Sequence, residues 1–279
     1  MSRFAYYNGQ FSTYENISIP LTDRSMFFGD AVYEVLIGRN GKIYQFNEHI
    51  ERLLSSANAL EINLAVPISD MLSIMRKLAE NYHDEEFLVY VQLSRVSDRR
   101  EHIYTSDAKS NLLVFTDTAT IRESLVPISL ISHNDLRYEY CNIKTVNLLP
   151  AVLASTAAHR MGADECVFVR NGYVTECAHS NIMFIKGDTL VAPPVSAHIL
   201  PGITMQNVFK ICEQSGIGIK RYDFSFSELT EADEILVTST TKLARRVYKI
   251  NGVPVGMKNA GLAHLISDRL LSDFTNNDC

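Results

Sequence analysis

The sequence lacks the spacings that announce a metal site, a disulfide scaffold or a dinucleotide fold. Its five cysteines (Cys141, Cys166, Cys177, Cys212 and Cys279) are odd in number and form no Cys-x-x-Cys, which argues against a disulfide framework or zinc and fits a reducing cytoplasm. None of its eight histidines makes a His-x-x-x-His pair, so no metal is expected. No Gly-x-Gly-x-x-Gly follows a strand-like run. No stretch approaches the ~18 consecutive apolar residues that span a bilayer, and the opening MSRFAYYNGQ has no signal-peptide core. The net charge of -6 is spread along the chain; nucleic acid and anionic membrane, which favour clustered Lys and Arg, are not the expected partners. These absences leave a cytoplasmic protein that handles small molecules.

What is present is turn chemistry. Asn-Gly pairs at Asn8, Asn40, Asn171 and Asn251 lie between apolar, aromatic or β-branched runs, the strongest short-range signal for a two-residue hairpin. Lys186-Gly187-Asp188 reads as a fifth turn. Further strands are expected at 87–95, 111–118, 127–133, 165–170 and 234–240. Helical periodicity places Ile50, Leu53, Leu54, Ala57 and Leu60 on one face, and Met71, Leu72, Met75, Leu78, Ala79 and Tyr82 on another, with Ser69 or Asp70 as the cap. Other helices are expected at about 146–161, ending at Gly162, from about Thr204, and at 260–274. Hairpins and helices in both halves predict an α+β fold, not a doubly wound parallel sheet. The expected division is an N-terminal α+β domain, 1–118, and a C-terminal α+β domain, 124–279, joined by a linker at 119–123.

Seven places could carry chemistry. Lys144, in CNIKTVNLLPAVLAS, is flanked by Ile143 and Val146; burial would lower its pKa, as a Schiff-base or general-base lysine needs. The same context suits a lysine with its stem on the core and its head in water, and taken alone favours it. Gly202-Ile203-Thr204 opens a helix whose N–H groups could cup an anion, and Ser239-Thr240-Thr241 could add hydroxyls; both are also ordinary turn sequences. Arg52 on the first amphipathic helix could clamp a charge. Glu176, in YVTECAHSN, could pair with a pyridine nitrogen or simply face water. Arg100 and His102 are two apart, so in an extended segment both point one way and could take a carboxylate. Tyr33 could offer a phenolic donor or be core.

Taken in order, DRSMFFGDAVYEV, FNEHIERL, SRVSDRREH, IKTVNLLPAVLA, VTECAHSN, PGIT and VTSTT resemble the fold-type IV pyridoxal-phosphate family of class IV aminotransferases, nearly end to end. The resemblance implies a two-domain fold with the active site between domains, and pyridoxal 5'-phosphate as cofactor. It implies Lys144 as the internal aldimine lysine and proton shuttle, with Glu176 paired to the pyridine nitrogen. Arg52, Ile203, Thr204, Ser239 and Thr240 then form the phosphate cup, and Tyr33 lies near the substrate. Within the family, Arg100-x-His102 resembles the D-amino acid aminotransferases, where the pair traps the substrate α-carboxylate across a homodimer. The implied reaction is transamination of D-amino acids such as D-alanine with 2-oxo acids such as 2-oxoglutarate. The same cofactor set serves 4-amino-4-deoxychorismate lyases, which release pyruvate and p-aminobenzoate, and branched-chain L-amino acid aminotransferases.

Overall fold

The asparagine–glycine turns set the strand pattern. The computed structural model describes residues 3–82, 86–121 and 126–276; Cys279 and residues 122 and 123 of the expected linker lie outside them. Asn8, Asn40, Asn171 and Asn251 have φ of 43°, 52°, 52° and 50°, and the glycine after each also has positive φ. Such a pair suits the type I′ turn, whose twist matches that of the flanking strands. The turns join β1 (Phe4–Tyr7) to β2 (Gln10–Thr13), β3 (Ala31–Arg39) to β4 (Lys42–Ile43), β8 (Glu165–Arg170) to β9 (Tyr173–Cys177) and β14 (Leu243–Ile250) to β15 (Val253–Pro254). Gly187 lies in the turn between β10 (Asn181–Lys186) and β11 (Thr189–Ala192). All five turns expected from sequence are present, and the fold is α+β.

The described residues form two compact units. The first runs up to Thr120 and also takes in Ile143–Asn147; the second comprises Ile121–Asn142 and Leu148–Asn276. In the first, a six-stranded antiparallel sheet has the order β2-β1-β6-β5-β3-β4, with β5 (Glu86–Ser94) and β6 (Asn111–Thr118) at its centre. Helices α2 (Phe46–Ala59) and α3 (Ile68–Ala79) press Leu53, Ala57, Met71 and Met75 onto Val32, Leu36, Val89 and Val114. Each leucine, methionine or valine among them removed from water contributes on the order of 1.5–3 kcal/mol. Neither Ser69 nor Asp70 stands at the N-cap of α3; that position is Pro67, with φ −54° and ψ 147° and no side-chain cap. The Ser69 hydroxyl bonds Asp70 instead.

Strand β3 has an edge to fill. Its partner β4 covers only Gly38 and Arg39, leaving the amides near its start without a neighbour on that side. The segment Ile143–Asn147 supplies one: Tyr33 N–H donates to Lys144 O at 3.0 Å and Val146 N–H to Ala31 O at 3.2 Å, around a bridge of Thr145 to Val32. This is why a segment that the sequence assigned to the second domain sits in the first unit. It also explains why the expected helix from about Val146 begins only at Leu149: the Val146 amide is already bonded to β3.

The second unit holds a nine-stranded mixed sheet, in which β15 flanks β14 and the main order is β12-β11-β10-β13-β14-β7-β8-β9. Strand β7 (Ile128–Asn134) runs parallel to both β8 and β14, and β12 (Gly218–Arg221) runs parallel to β11; the other pairs are antiparallel. Ile128, Val167, Phe184 and Val237, the last on β13 (Glu234–Ser239), lie in one buried cluster. Helices α4 (Leu149–Arg160), α5 (Ile203–Gln214) and α7 (Ala260–Thr275) complete the unit with the short α6 (Phe226–Thr230). The first unit has its own short helix, α1 (Arg24–Phe28), which ends at Gly29 with φ 62°.

Gly29 ties that helix to the lysine segment. Its carbonyl accepts from Asn147 Nδ2 at 3.0 Å, and a Cβ placed there would overlap the Asn147 amide. Gly29→Ala is therefore expected to cost about 1–3 kcal/mol of unfolding free energy, from the left-handed backbone and the clash together. A denaturant titration showing no loss would mean that Asn147 moves aside freely.

Candidate active site

In the first unit, the lysine segment brings two predicted residues together, Lys144 and Tyr33. The Lys144 backbone is held by Tyr33 and, at 3.4 Å, by the Ser56 hydroxyl of α2. Its ammonium lies 4.5 Å from the centroid of the Tyr33 ring, a cation–π contact. Tyr33 is itself stacked on Tyr90 of β5, centroids 5.5 Å apart. Lys144 is half-buried, so its surroundings are neither bulk water nor dry core.

One register step along β3, Glu34 points to the opposite face and is fully buried. Arg52 on α2 grips it with two parallel bonds, Nε to Oε1 at 2.6 Å and Nη2 to Oε2 at 2.9 Å. His49, one turn earlier on the helix, places Nδ1 at 2.7 Å from Oε2. Burial alone would raise the Glu34 pKa, but the bond and charge of Arg52, helped by His49, hold it down at about 2. Burial lowers the His49 pKa, outweighing the pull of Glu34, so the neutral ring donates from Nδ1. A fork held this way presents Arg52 in one orientation. Sequence reasoning singled out Arg52 and missed its anchor, although Glu34 directly follows Tyr33.

Arg100 and His102 lie on an exposed loop, not a strand, yet they do share a neighbour. The Arg100 guanidinium carbon is 5.2 Å from the centroid of the Phe28 ring, and the His102 ring is 5.2 Å from it.

In the second unit, Glu176 near the end of β9 is surrounded by donors. Its Oε2 accepts from Asn181 Nδ2 at 3.2 Å and from the Leu200 N–H at 3.0 Å, while Oε1 takes the Arg137 guanidinium. Arg137 also bonds both oxygens of Asp135, at 2.9 Å each, and the His198 carbonyl at 3.0 Å. That pairing outweighs the effect of burial and holds Asp135 at about 2. Sequence reasoning did not find Arg137: its only local signal is Asp-x-Arg, and Glu176 is 39 positions away.

Asn181 joins Glu176 to the start of α5. Its Nδ2 also donates to Leu200 O at 2.8 Å, and its Oδ1 occupies the space where a Cβ on residue 202 would stand, so Gly202 is required by close approach. Gly202 is the N-cap of α5, with no side-chain cap. Ile203 and Thr204 follow it as the first helical residues, and an α-helix leaves such N–H groups without intrahelical acceptors. Ser239 ends β13, and its Oγ is buried with no hydrogen-bond partner. Beyond Thr240, Lys242 pairs with the buried Glu165 at 2.9 Å, which pins that turn to β8.

Comparison with known proteins bears on this arrangement. Residues 31–250 match the family model of amino-transferase class IV. The chain belongs to the class IV aminotransferases. It is 36% identical over 253 residues to a D-alanine aminotransferase of Listeria monocytogenes serotype 4b (strain F2365), covering 86% of this chain and 85% of the relative. It is 31% identical over 252 residues to a D-alanine aminotransferase of Bacillus licheniformis, covering 90% and 89%. In fold it resembles a branched-chain aminotransferase of Thermoproteus uzoniensis solved with norvaline, with a TM-score of 0.90 at 18% identity over 100% of this chain and 96% of that one. It also resembles a T.th. branched-chain amino acid aminotransferase complexed with N-(5'-phosphopyridoxyl)-L-glutamate, with a TM-score of 0.88 at 21% identity over 99% and 95%. At those identities the structural likeness concerns the fold, which is fold-type IV.

Class IV aminotransferases work with pyridoxal 5'-phosphate, and the second unit's residues fit that group. An orphaned buried hydroxyl at Ser239 and an uncapped helix start at Ile203 suit an oxyanion. A carboxylate immobilised by three donors suits a protonated ring nitrogen.

The Glu34 anchor gives a pH signature. A carboxyl held below its ordinary 4.5 contributes stability that is fully present above 4.5 and is lost as pH falls towards about 2. Glu34→Gln is thus expected to melt below the native protein at neutral pH, the gap narrowing between pH 4.5 and 2. Equal melting temperatures at neutral pH would rule out the anchor.

Proposed function

We propose that this chain transaminates D-amino acids, D-alanine foremost, using 2-oxo acids such as 2-oxoglutarate as acceptors. Support comes from the D-alanine aminotransferases at 31–36% identity over most of both chains and from the pair Arg100 and His102 set against one ring. The single observation that carries the chemistry is the Lys144 ammonium held over Tyr33 by a backbone bridge to β3.

In this reading each residue has one task. Lys144 would hold the cofactor through its ε-amine, and the same amine would remove the proton from the substrate Cα and later return it. Pyridoxal phosphate, when bound, supplies the aldehyde that takes up the amino group and the ring that accepts the electrons of the broken C–H bond. Glu176, fixed by Arg137, Asn181 and the Leu200 amide, keeps a ring nitrogen protonated. Arg52, the N–H of Ile203, Thr204, Ser239 and Thr240 take the phosphate. Tyr33, Arg100 and His102 bind substrate, the last two through the α-carboxylate, which decides the hydrogen that faces Lys144.

We also read the protein as a cytoplasmic homodimer. Four cysteines free of disulfides among the described residues suit a reducing compartment. Leu149, Val152 and Leu153, exposed along one face of α4, suit contact with a second copy. Among the described residues no helix is long and apolar enough to cross a membrane.

Purified protein with D-alanine and 2-oxoglutarate should release pyruvate, while L-leucine should give no comparable turnover. Release of p-aminobenzoate from aminodeoxychorismate without D-alanine turnover would overturn the assignment. Lys144→Ala should lose the yellow colour of the bound cofactor and at least about 10²–10⁴ of the rate; retention of both would refute its role.

A further inference from the structure

The loop that carries Arg100 and His102 is exposed, so some other part of the chain must fix where those two side chains stand. Asp30, at the turn between α1 and β3, accepts Arg24 Nε at 2.8 Å on Oδ2, and Arg95 Nε at 3.0 and 2.9 Å on its two oxygens. Both arginines are nearly inaccessible to solvent. With Nε engaged by Asp30, each guanidinium directs its two terminal nitrogens at backbone carbonyls. Arg95 takes Leu60 O at 2.7 Å and Glu61 O at 3.1 Å, at the end of α2. Arg24 takes Glu101 O at 2.6 Å and His102 O at 3.3 Å, inside the loop itself. The Arg24 guanidinium carbon also lies 4.7 Å from the Phe28 centroid, the ring on which Arg100 and His102 pack.

From this geometry we infer that Arg24 is a positioning residue for substrate-carboxylate recognition. Oriented by Asp30, it fixes the loop backbone at Glu101 and His102 and sets Arg100 and His102 on Phe28 in a shared direction. The inference rests on the reading of Arg100 and His102 as the carboxylate trap. Arg24 itself touches no substrate: its nitrogens are committed to Asp30 and two carbonyls. Its buried charge-assisted bonds are of the strong kind, so they can fix an exposed segment at Glu101 and His102.

A kinetic split separates this role from a merely structural one. Arg24→Gln should raise KM for D-alanine and for 2-oxoglutarate about tenfold, the scale of lost bonds to a charged group. Its kcat should stay within about twofold, because the proton transfer itself is untouched, and the visible spectrum of the holoenzyme should not change. Since Arg24 acts through the loop, adding Arg24→Gln to Arg100→Ala should raise KM by less than the product of the two separate effects, because only His102 is left for it to position. A fall in kcat at unchanged KM, or a multiplicative effect in the double variant, would overturn the inference. If Arg100→Ala alone leaves KM unchanged, the carboxylate-trap reading fails; if it raises KM and Arg24→Gln does not, only the positioning role fails. Should Arg24→Gln not fold, Phe28→Leu removes the shared ring and must produce the same KM-against-kcat split, or the inference is wrong.

Discussion

The pairing of Ile143–Asn147 with the open edge of β3 is the constraint on which the rest of the candidate site depends. A strand edge with unbonded amides must be covered, and here the cover is a segment separated from β3 by more than a hundred residues. Two backbone bonds, from Tyr33 to Lys144 and from Val146 to Ala31, turn that need into a position for one amine. Asn147 on Gly29 closes the far end. The lysine is therefore held by its main chain, with its ammonium against the Tyr33 ring.

The same strand distributes the remaining tasks by its two-residue period. Tyr33 faces the lysine, and Glu34, on the opposite face, meets α2, where His49 and Arg52 wait. A buried carboxylate costs free energy unless it is paired; Glu34 is paired twice, and its cost is offset by fixing Arg52. Asp30 repeats the device just before the strand, orienting Arg24 and Arg95. In the second unit Asp135 does so for Arg137, which in turn holds Glu176. In the Asp30 and Asp135 clusters an acid orients an arginine whose other nitrogens bond a further group, and the buried Glu34 orients Arg52 in the same way.

Much of the fold was legible in the sequence because its signals are local. Asn-Gly demands left-handed backbone, and all four pairs became hairpins; amphipathic spacing over Ile50–Ala57 became α2. The place of Ile143–Asn147 was not legible, because a run reading as the start of a helix is claimed instead by a distant strand edge. Lys144, Glu176 and the turn at Gly202 could be named only through the order of motifs along the chain; their local contexts favoured plain structural roles. The orienting partners Glu34, Asp30 and Arg137 stayed hidden, since charged residues next to turns and strands are usually solvated. Their work appears only when residues tens of positions apart are brought together.

The central claim is that the ε-amine of Lys144 carries the cofactor. The most direct measurement is borohydride reduction of the yellow holoenzyme, followed by proteolysis and mass spectrometry. The reduced pyridoxyl phosphate mass should then lie on the peptide containing Lys144 and on no other lysine. Recovery of that mass on a different lysine, or an unmodified Lys144 peptide from fully reduced enzyme, would contradict the claim.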